Sequence, residues 1–426
     1  MSFKRNLISN VIFQIFNILL AFCISVIVAR ALGPEYQGKA AFFLLIITTI
    51  SEFGNIGVNN SFVYFLKKSD YSSEEVLGTN LIFLLLDGAL IFLVLSILRI
   101  SGMIFSAYSI ITFSIGAISI IFAYLTAMSS ELYVAREEVY KLNIYLIVFK
   151  GLRLLTLASL YVVGKLNMDL YLIIMGLVSI LEGLTLYLSV KNYYSFIFKF
   201  NFRFFKVEMK YAIKMILAYL FIYLNYKVDQ IFIKVMIDDY QLGLYSVAVY
   251  LAELLFLIPT CINSALIGKI VNMKTDFAEV IIKTIKITFN LSILLCLIGC
   301  LCTNLVPIVY GQEYATIKIT IIILFIGIIF ASIGKVGYTY FTMNNKPEIH
   351  MYISLLTLIS NLIGNFILIP LMGINGAATA SSISYILYGI IYVIIINKFE
   401  KVSYSNILFI NIEDLKEIKK IIKTSR

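Results

Sequence analysis

Four basic side chains, Lys150, Arg153, Lys227 and Lys335, and five acidic ones, Glu52, Asp87, Glu182, Asp229 and Glu253, lie deep inside long apolar stretches of the sequence. A charge near the centre of a bilayer costs about 2.5–3.5 kcal/mol on insertion scales, so each of these residues requires a partner, a ligand or water. Lys150 and Arg153 are three residues apart, which places them on one face of a helix. Glu52, Asn55 and Asn59 recur at i, i+3 and i+7, and Ser246, Tyr250 and Glu253 do the same later, so each trio predicts one polar face turned away from lipid. Lys150, Arg153 and Lys227 are expected to form a cationic patch for an anionic head group, with Lys335 beside it and Asn55 and Asn59 meeting hydroxyl groups. Glu52, Asp87, Glu182, Asp229 and Glu253 then serve as pairing partners or as proton or cation sites. The deep acids and bases are similar in number, so simple pairing across helices stays open as the alternative.

Other chemistries find little support. No Gly-x4-Gly-Lys-Ser/Thr loop occurs, because Gly268-Lys269 and Gly334-Lys335 are each followed by apolar residues. Cys23, Cys261, Cys296, Cys300 and Cys302 lie in or beside apolar runs and read as small packing groups. No nucleophile triad, metal set or cofactor motif emerges, so no cofactor is expected and the chain is not read as an enzyme. His350, the sole histidine, sits beside Pro347 and Glu348, where a capping or interfacial role is expected.

The elements that position these residues follow from composition. Of 426 residues, 61% are hydrophobic and 14% charged, against roughly 45–50% and 25% in soluble domains. A soluble enzyme, a disordered chain and a disulfide scaffold are excluded. A bilayer core takes about 20 apolar residues per helix. Runs of that kind predict twelve spans, at 7–29, 40–66, 76–98, 104–128, 142–163, 170–190, 211–236, 242–266, 284–305, 317–340, 350–371 and 375–396. The first run is longer than a signal-peptide core and reads as an uncleaved helix.

The connections carry an uneven charge. One side of the membrane holds twenty-two Lys and Arg, among them Lys4, Arg5, Lys67, Lys68, Arg136 and Lys141; the other holds five, Arg30, Lys39, Arg99, Lys165 and Lys318. The positive-inside rule puts both termini in the cytoplasm. The net charge of +10 is then topology and lipid headgroups, not nucleic acid. Lys214, Lys234 and Lys286 fall near span ends, from which they can snorkel.

Six spans precede the longest cytoplasmic connection and six follow it. The phrase from Arg30 to Gln37 resembles the one from Lys234 to Gln241, and each half puts a carboxylate near the middle of its second span, Glu52 and Glu253. An even number of spans per half implies parallel repeats. The expected organisation is a six-helix bundle over 1–190, a cytoplasmic linker over 191–210, a second bundle over 211–396 and a cytoplasmic tail over 397–426. Leu408, Ile412, Leu415, Ile418 and Ile422, with lysines between them, suit an amphipathic tail helix on the membrane surface.

Specific motifs add to this reading. Ala29-Arg-Ala-Leu-Gly-Pro-Glu-Tyr-Gln-Gly38 and Phe53-Gly-Asn-Ile-Gly-Val-Asn-Asn60 resemble the opening of bacterial O-antigen (Wzx-type) polysaccharide flippases, of the multidrug/oligosaccharidyl-lipid/polysaccharide exporter superfamily. Asp229-Gln-Ile with Gly243-Leu-Tyr-Ser-Val-Ala248, Val309-Tyr-Gly-Gln-Glu-Tyr314, Asn361, Asn365, Ile369-Pro370 and Gly373-Ile-Asn-Gly-Ala-Ala378 continue the resemblance in order along the chain. It implies an all-α, MATE-like V-shaped transporter of two pseudo-symmetric six-helix bundles in the bacterial cytoplasmic (inner) membrane. The implied activity is translocation of undecaprenyl-pyrophosphate-linked oligosaccharide by alternating access, for O-antigen or a related lipopolysaccharide or surface polysaccharide. Implied partners are that lipid-linked substrate, membrane lipids, a polysaccharide polymerase and a chain-length regulator. Lipid II flippases of the superfamily usually carry two further C-terminal helices, so the resemblance is expected to lie outside that branch.

Two rivals remain at this stage. A drug/cation antiporter of the same superfamily would have an acid-dominated pocket, against which the deep lysines speak. A membrane polysaccharide polymerase or ligase would present a large periplasmic loop, and no connection is long enough.

Overall fold

A computed structural model describes residues 3–411, apart from 69–70, 195, 197, 257–258, 264–265, 267–276 and 345. Among the described residues every regular element is helical. The first bundle runs α1 (Phe3–Phe53), α2 (Val58–Lys68), α3 (Ser73–Ile100), α4 (Ile110–Ala135), α5 (Val139–Val162) and α6 (Met168–Lys191); then follow α7 (Phe202–Met236) and α8 (Asp239–Glu253). After these come α9 (Phe277–Cys302), α10 (Lys318–Met343), α11 (Pro347–Met372) and α12 (Ile374–Glu400). Ten helical stretches among the described residues are long and apolar enough to cross a membrane. The longest of them, in α1, is two helices meeting at a kink, and α7 adds a further 35-residue helix. The all-α polytopic fold expected from hydropathy is the one observed, and the twelve spans read from the sequence agree approximately with these ten stretches.

Local chemistry sets the ends. Ser72 and Glu75 form a reciprocal capping box at the start of α3, and Ser109, Asn167 and Asp238 cap α4, α6 and α8 with side-chain oxygens. The kink in α1 lies at Gly33, whose φ of 66° leaves helical space, followed by Pro34, which brings no N–H.

The second passage departs from the expected single helix over 40–66. It is α-helical to Phe53, turns through Gly54–Gly57 and resumes at Val58. Ile56 and Gly57 take φ of 53° and 80°. A Cβ at Gly57 would come within 2.9 Å of the Ala212 carbonyl oxygen on α7, so the turn needs glycine both for its backbone angle and for the close approach. The glycines of the Phe53–Asn60 phrase mark this break; the polar periodicity had suggested an uninterrupted helix.

The described chain divides into two compact units, Met1–Leu220 and Phe221–Arg426. In the first, α4 packs on α3 and α6, and α5 on α1 and α6. In the second, α10 packs on α9 and α12, and α11 on α12. The contacts match in register. Gly183 on α6 lies against the backbone carbonyl of Phe122 on α4, and Gly389 on α12 against that of Phe330 on α10; an added Cβ would strike the oxygen in both. Gly176 lies over Ile115, and at the equivalent place Ser382 Oγ donates to the Ile323 carbonyl, 2.6 Å. A spacing of 206 residues relates Gly176 to Ser382 and Gly183 to Gly389, and 208 relates Ile115 to Ile323 and Phe122 to Phe330. One helix-packing scheme is therefore used twice, in matching register.

Burial is distributed as lipid requires. Leu86, Leu155, Phe366 and Leu371 are exposed, whereas Asn80, Asn225, Asn361 and Asn365 are fully buried. Polar groups cannot face hydrocarbon and collect inside each unit.

Two expectations meet different geometry. The segment expected as linker over 191–210 becomes helical at Phe202, because Asn201 Oδ1 accepts the Phe204 N–H, 3.1 Å, and starts α7 early. In the tail, Tyr404–Leu408 is a short helix docked on α9, where Asn290 Nδ2 donates to the Leu408 carbonyl, 2.6 Å; positions 412–426, with Ile412, Leu415, Ile418 and Ile422, lie outside the described residues.

Candidate functional site

The break in the second passage shapes the interior of the first unit. Asn55 sits in the turn, and its Oδ1 accepts the Gly57 N–H, 2.9 Å. Around it opens a cavity of about 320 Å³, lined by Ser51, Glu52, Asn55, Asn59, Ala123, Ala127 and Tyr219. A second cavity of about 260 Å³ shares Ser51, Glu52 and Ala123 with it and reaches Arg153, Ser119, Ser179 and Gly176. Glu52, Asn55 and Asn59 are thus brought together, by a turn and two helix ends rather than by one helical face. Glu52 is exposed in both cavities and forms no ion pair among the described residues. Irregular backbone inside a membrane is tolerated where it lines a cavity, and this break does so.

Lys150 and Arg153, one turn apart on α5, have different partners. Arg153 binds Glu182 on α6, 2.7 Å, and Ser179 Oγ, 3.0 Å, while its Nε stays buried without a hydrogen-bond partner. Lys150 donates to Asn17 Oδ1 on α1 and has no carboxylate within ion-pair distance among the described residues. Arg153 lines the second cavity; Lys150 is absent from the walls of both. One carboxylate oxygen of Asp87, on α3, is buried without a hydrogen-bond partner among the described residues.

The second unit repeats the arrangement with other residues. Lys227 on α7 binds both oxygens of Glu253 on α8, 3.0 and 3.3 Å. Lys335 on α10 forms no ion pair among the described residues; its ammonium lies 4.1 Å from the Phe256 ring centroid and 5.6 Å from that of Tyr226. Cation–π contact holds an ammonium without neutralising it. Each unit thus sets two bases beside one acid, Lys150, Arg153 and Glu182 in the first and Lys227, Lys335 and Glu253 in the second. One base pairs with the acid, and the other has no carboxylate within ion-pair distance among the described residues.

Asp229 is fully engaged. It accepts from Tyr245 Oη, 2.5 Å, from Ser381 Oγ, 2.9 Å, and from the Gln230 N–H, 2.8 Å. It belongs to a buried polar network tying α7, α8 and α12, next to which Asn361 Nδ2 donates to the Asn225 carbonyl and side chain, 2.7 and 3.0 Å. Asn225 stands 208 residues after Asn17, so in both units an asparagine on the first helix receives a polar group from the fifth. His350 makes no capping bond among the described residues: its ring bonds the Tyr392 hydroxyl, 2.6 Å, and packs against Tyr338 and Tyr388. All five cysteines are free thiols.

Sequence reading missed Asn17, Ser51, Ser179, Tyr219 and Phe256. Apolar patterning hides single Ser and Asn residues within a span, and an aromatic that cradles a lysine looks like any lipid-facing ring. The glycine pair at 54 and 57 was the one visible signal for the site's irregular backbone.

Several solved structures share this fold. A lipid II flippase, MurJ, in an inward closed conformation superposes with a TM-score of 0.76 at 16% identity, covering 98% of this chain and 93% of that one. A multidrug resistance MATE family transporter of the MOP superfamily, inward-facing, gives 0.70 at 12% identity, covering 90% and 96%. A Vibrio cholerae MATE transporter gives 0.65 at 14%, covering 94% and 98%. No curated protein sequence matches the chain. A sequence-family model described as polysaccharide biosynthesis protein matches residues 3–274, more than half of the chain. With its helix packing repeated in two units and its charged interior, this multi-pass membrane protein belongs to the polysaccharide biosynthesis protein family.

Proposed function

We propose that the protein is a flippase that moves undecaprenyl-pyrophosphate-linked oligosaccharide across the bacterial cytoplasmic membrane by alternating access. The observation that carries this reading is the uncompensated base in each unit, Lys150 on Asn17 and Lys335 over Phe256. A pyrophosphate is the one strongly anionic part of such a substrate, and charge-assisted hydrogen bonds to it are the interactions that lysines inside a membrane supply. Arg153 and Lys227, already paired, orient beside them and exchange partners as the substrate arrives. Asn55, Asn59 and Ser51 present hydrogen-bonding groups to sugar hydroxyls, while the polyprenyl chain stays in lipid, where it costs nothing to leave it.

The unpaired Glu52 favours ion coupling within the same cycle. One charge crossing 100 mV supplies about 2.3 kcal/mol, and a carboxylate exposed to a wet cavity takes up a proton or small cation with little desolvation. Glu52 is the coupling group in this reading, with Asp87 near it in sequence order on α3; Glu182, Glu253 and Asp229 are structural partners. The excess of Lys and Arg on one set of connections supports cytoplasmic termini. O-antigen is the polysaccharide class that the sequence resemblance favours.

The reading is tested by replacing Lys150 and Lys335 together with glutamine and measuring polysaccharide at the cell surface when the variant is the sole copy. Loss of polymer at normal protein level is expected. Normal polymer would reject an anionic substrate site at these lysines.

A further inference from the structure

The cytoplasmic end of α7 holds a carboxylate unlike those of the transport path. Glu208 is 0% exposed. Its Oε1 accepts from Ser61 Oγ on α2 and from Asn80 Nδ2 on α3, both at 3.1 Å. Ser61 and Asn80 are also 0% exposed. Two acceptors are left over at this spot, Glu208 Oε2 and Asn80 Oδ1, both buried and without any hydrogen-bond donor among the described residues. Buried acceptors that lack a donor are destabilising, and one added proton shared between these two would satisfy both.

We propose that Glu208 is a proton-binding site: Oε2 carries a proton and donates it to Asn80 Oδ1, while Asn80 Nδ2 donates to Oε1, closing a ring of two hydrogen bonds. The pair is then neutral, as its burial requires. Among the described residues no charged side chain pairs with Glu208. Glu75, from α3, is committed to the Ser72 N–H and to Asn201 Nδ2. On α7 itself Arg203, Lys206 and Lys210 are exposed, as is Lys67 on α2. The groups that act on Glu208 are the neutral Ser61 and Asn80, and burial pushes its carboxyl up to about 7.

The proton fastens a mechanical joint. The first part of α7 is docked on α2 and α3 by Glu208, by the Asn201 N–H on Thr79 Oγ1, 3.0 Å, and by the stack of Tyr211 on Tyr64, ring centroids 5.0 Å apart. The same helix continues beyond Leu220 into the second unit. Because the docked state binds the proton more tightly than the released one, docking is at full strength below the ordinary glutamate range and weakens as pH rises to about 7. Loss of the proton leaves a buried carboxylate and loosens the start of α7, so the joint responds to cytoplasmic pH.

The test uses the full-length protein in detergent, with isotope-labelled glutamate, and follows the infrared C=O stretch of protonated carboxyl groups between pH 5 and 9. The proposal predicts a glutamate band that disappears with a midpoint near 7, is missing in Glu208→Gln, and accompanies a thermal midpoint that falls with pH in the wild type more than in the variant. Glutamine reproduces the ring with its own N–H. Should Glu208→Gln fail to accumulate, Asn80→Leu keeps the carboxyl and must shift the band's frequency. A wild-type band identical in either variant, or pH dependence of stability unchanged by Glu208→Gln, overturns the proposal. Stabilisation of the wild type by sodium at pH 9, lost in Glu208→Gln, would identify the ligand as a metal cation and equally overturn it.

Discussion

Glu52 is the penultimate residue of α1 and Glu253 the last residue of α8, so the second passage of each unit stops being an α-helix at its acid. After Glu52 the chain turns through Gly54–Gly57; after Glu253 it tightens into a 3-10 turn over Leu254–Phe256. The two acids then part company. Glu253 is held by Lys227, whereas Glu52 has no ion-pair partner among the described residues and faces the cavities. A duplicated frame has kept the break and assigned its carboxylate two different tasks.

If Glu52 carries the coupled ion, Glu52→Gln removes coupling without removing the cavity. Transport in energised vesicles should fall by a factor of about fifty, the equivalent of about 2.3 kcal/mol per charge at 100 mV. Transport without a membrane potential should change little. Comparing initial rates with and without an imposed potential checks this; equal stimulation in wild type and variant would remove Glu52 from that role.

In the substrate-free protein the Arg153–Glu182 pair also stabilises the first unit. Neutralising either partner leaves the other charge half-buried, which costs about 3 kcal/mol for a well-buried pair. Arg153→Gln and Glu182→Gln should each lower the thermal midpoint of the purified protein. The double variant should recover most of the loss, and a double variant no more stable than the singles would show that the two do not act as a pair.

Lys335 should separate binding from folding. It lies over Phe256 and Tyr226 with no carboxylate on it, so Lys335→Gln leaves no orphaned acid. Stability should hold within about 0.5 kcal/mol while affinity for a pyrophosphate-bearing polyprenyl lipid drops roughly tenfold to a hundredfold, the range of one lost charge-assisted hydrogen bond. Titration of that lipid into wild type and variant measures it, with a polyprenyl alcohol as the uncharged control that should bind both alike.

Gly57→Ala tests the break itself. The alanine meets a φ of 80° and the Ala212 carbonyl at 2.9 Å, and strain of this kind costs about 1–3 kcal/mol. A lower thermal midpoint is expected, together with loss of transport, since the cavity walls on either side of the turn would shift. Gly102→Ala, with open space and a φ of 76°, provides a control in which only the backbone term appears.

Much of this was legible before the structure. Hydropathy alone placed the apolar spans, with their number right to within a helix or two, because a bilayer accepts little but apolar helices, and the resemblance between Arg30–Gln37 and Lys234–Gln241 announced the repeat. The deep charges were visible because they violate the apolar pattern. What could not be read was their pairing. Nothing in the sequence says that Arg153 takes Glu182 while Lys150 takes Asn17, since those contacts join residues 29 and 133 positions apart across helix interfaces. Glu208 was passed over for a related reason: it stands in a charged, aromatic connection where a glutamate draws no notice, and only its burial against Ser61 and Asn80 gives it meaning.

The central claim is that a charged passage within this fold carries an anionic lipid-linked sugar between leaflets. The most direct measurement reconstitutes the purified protein into vesicles holding a fluorescent polyprenyl-pyrophosphate oligosaccharide and follows quenching by an impermeant reagent. The account predicts that the protected inner-leaflet fraction becomes quenchable with wild-type protein, and stays protected with the Lys150→Gln, Lys335→Gln double variant. A protected fraction that stays unchanged with folded wild-type protein, at any imposed potential, would contradict it.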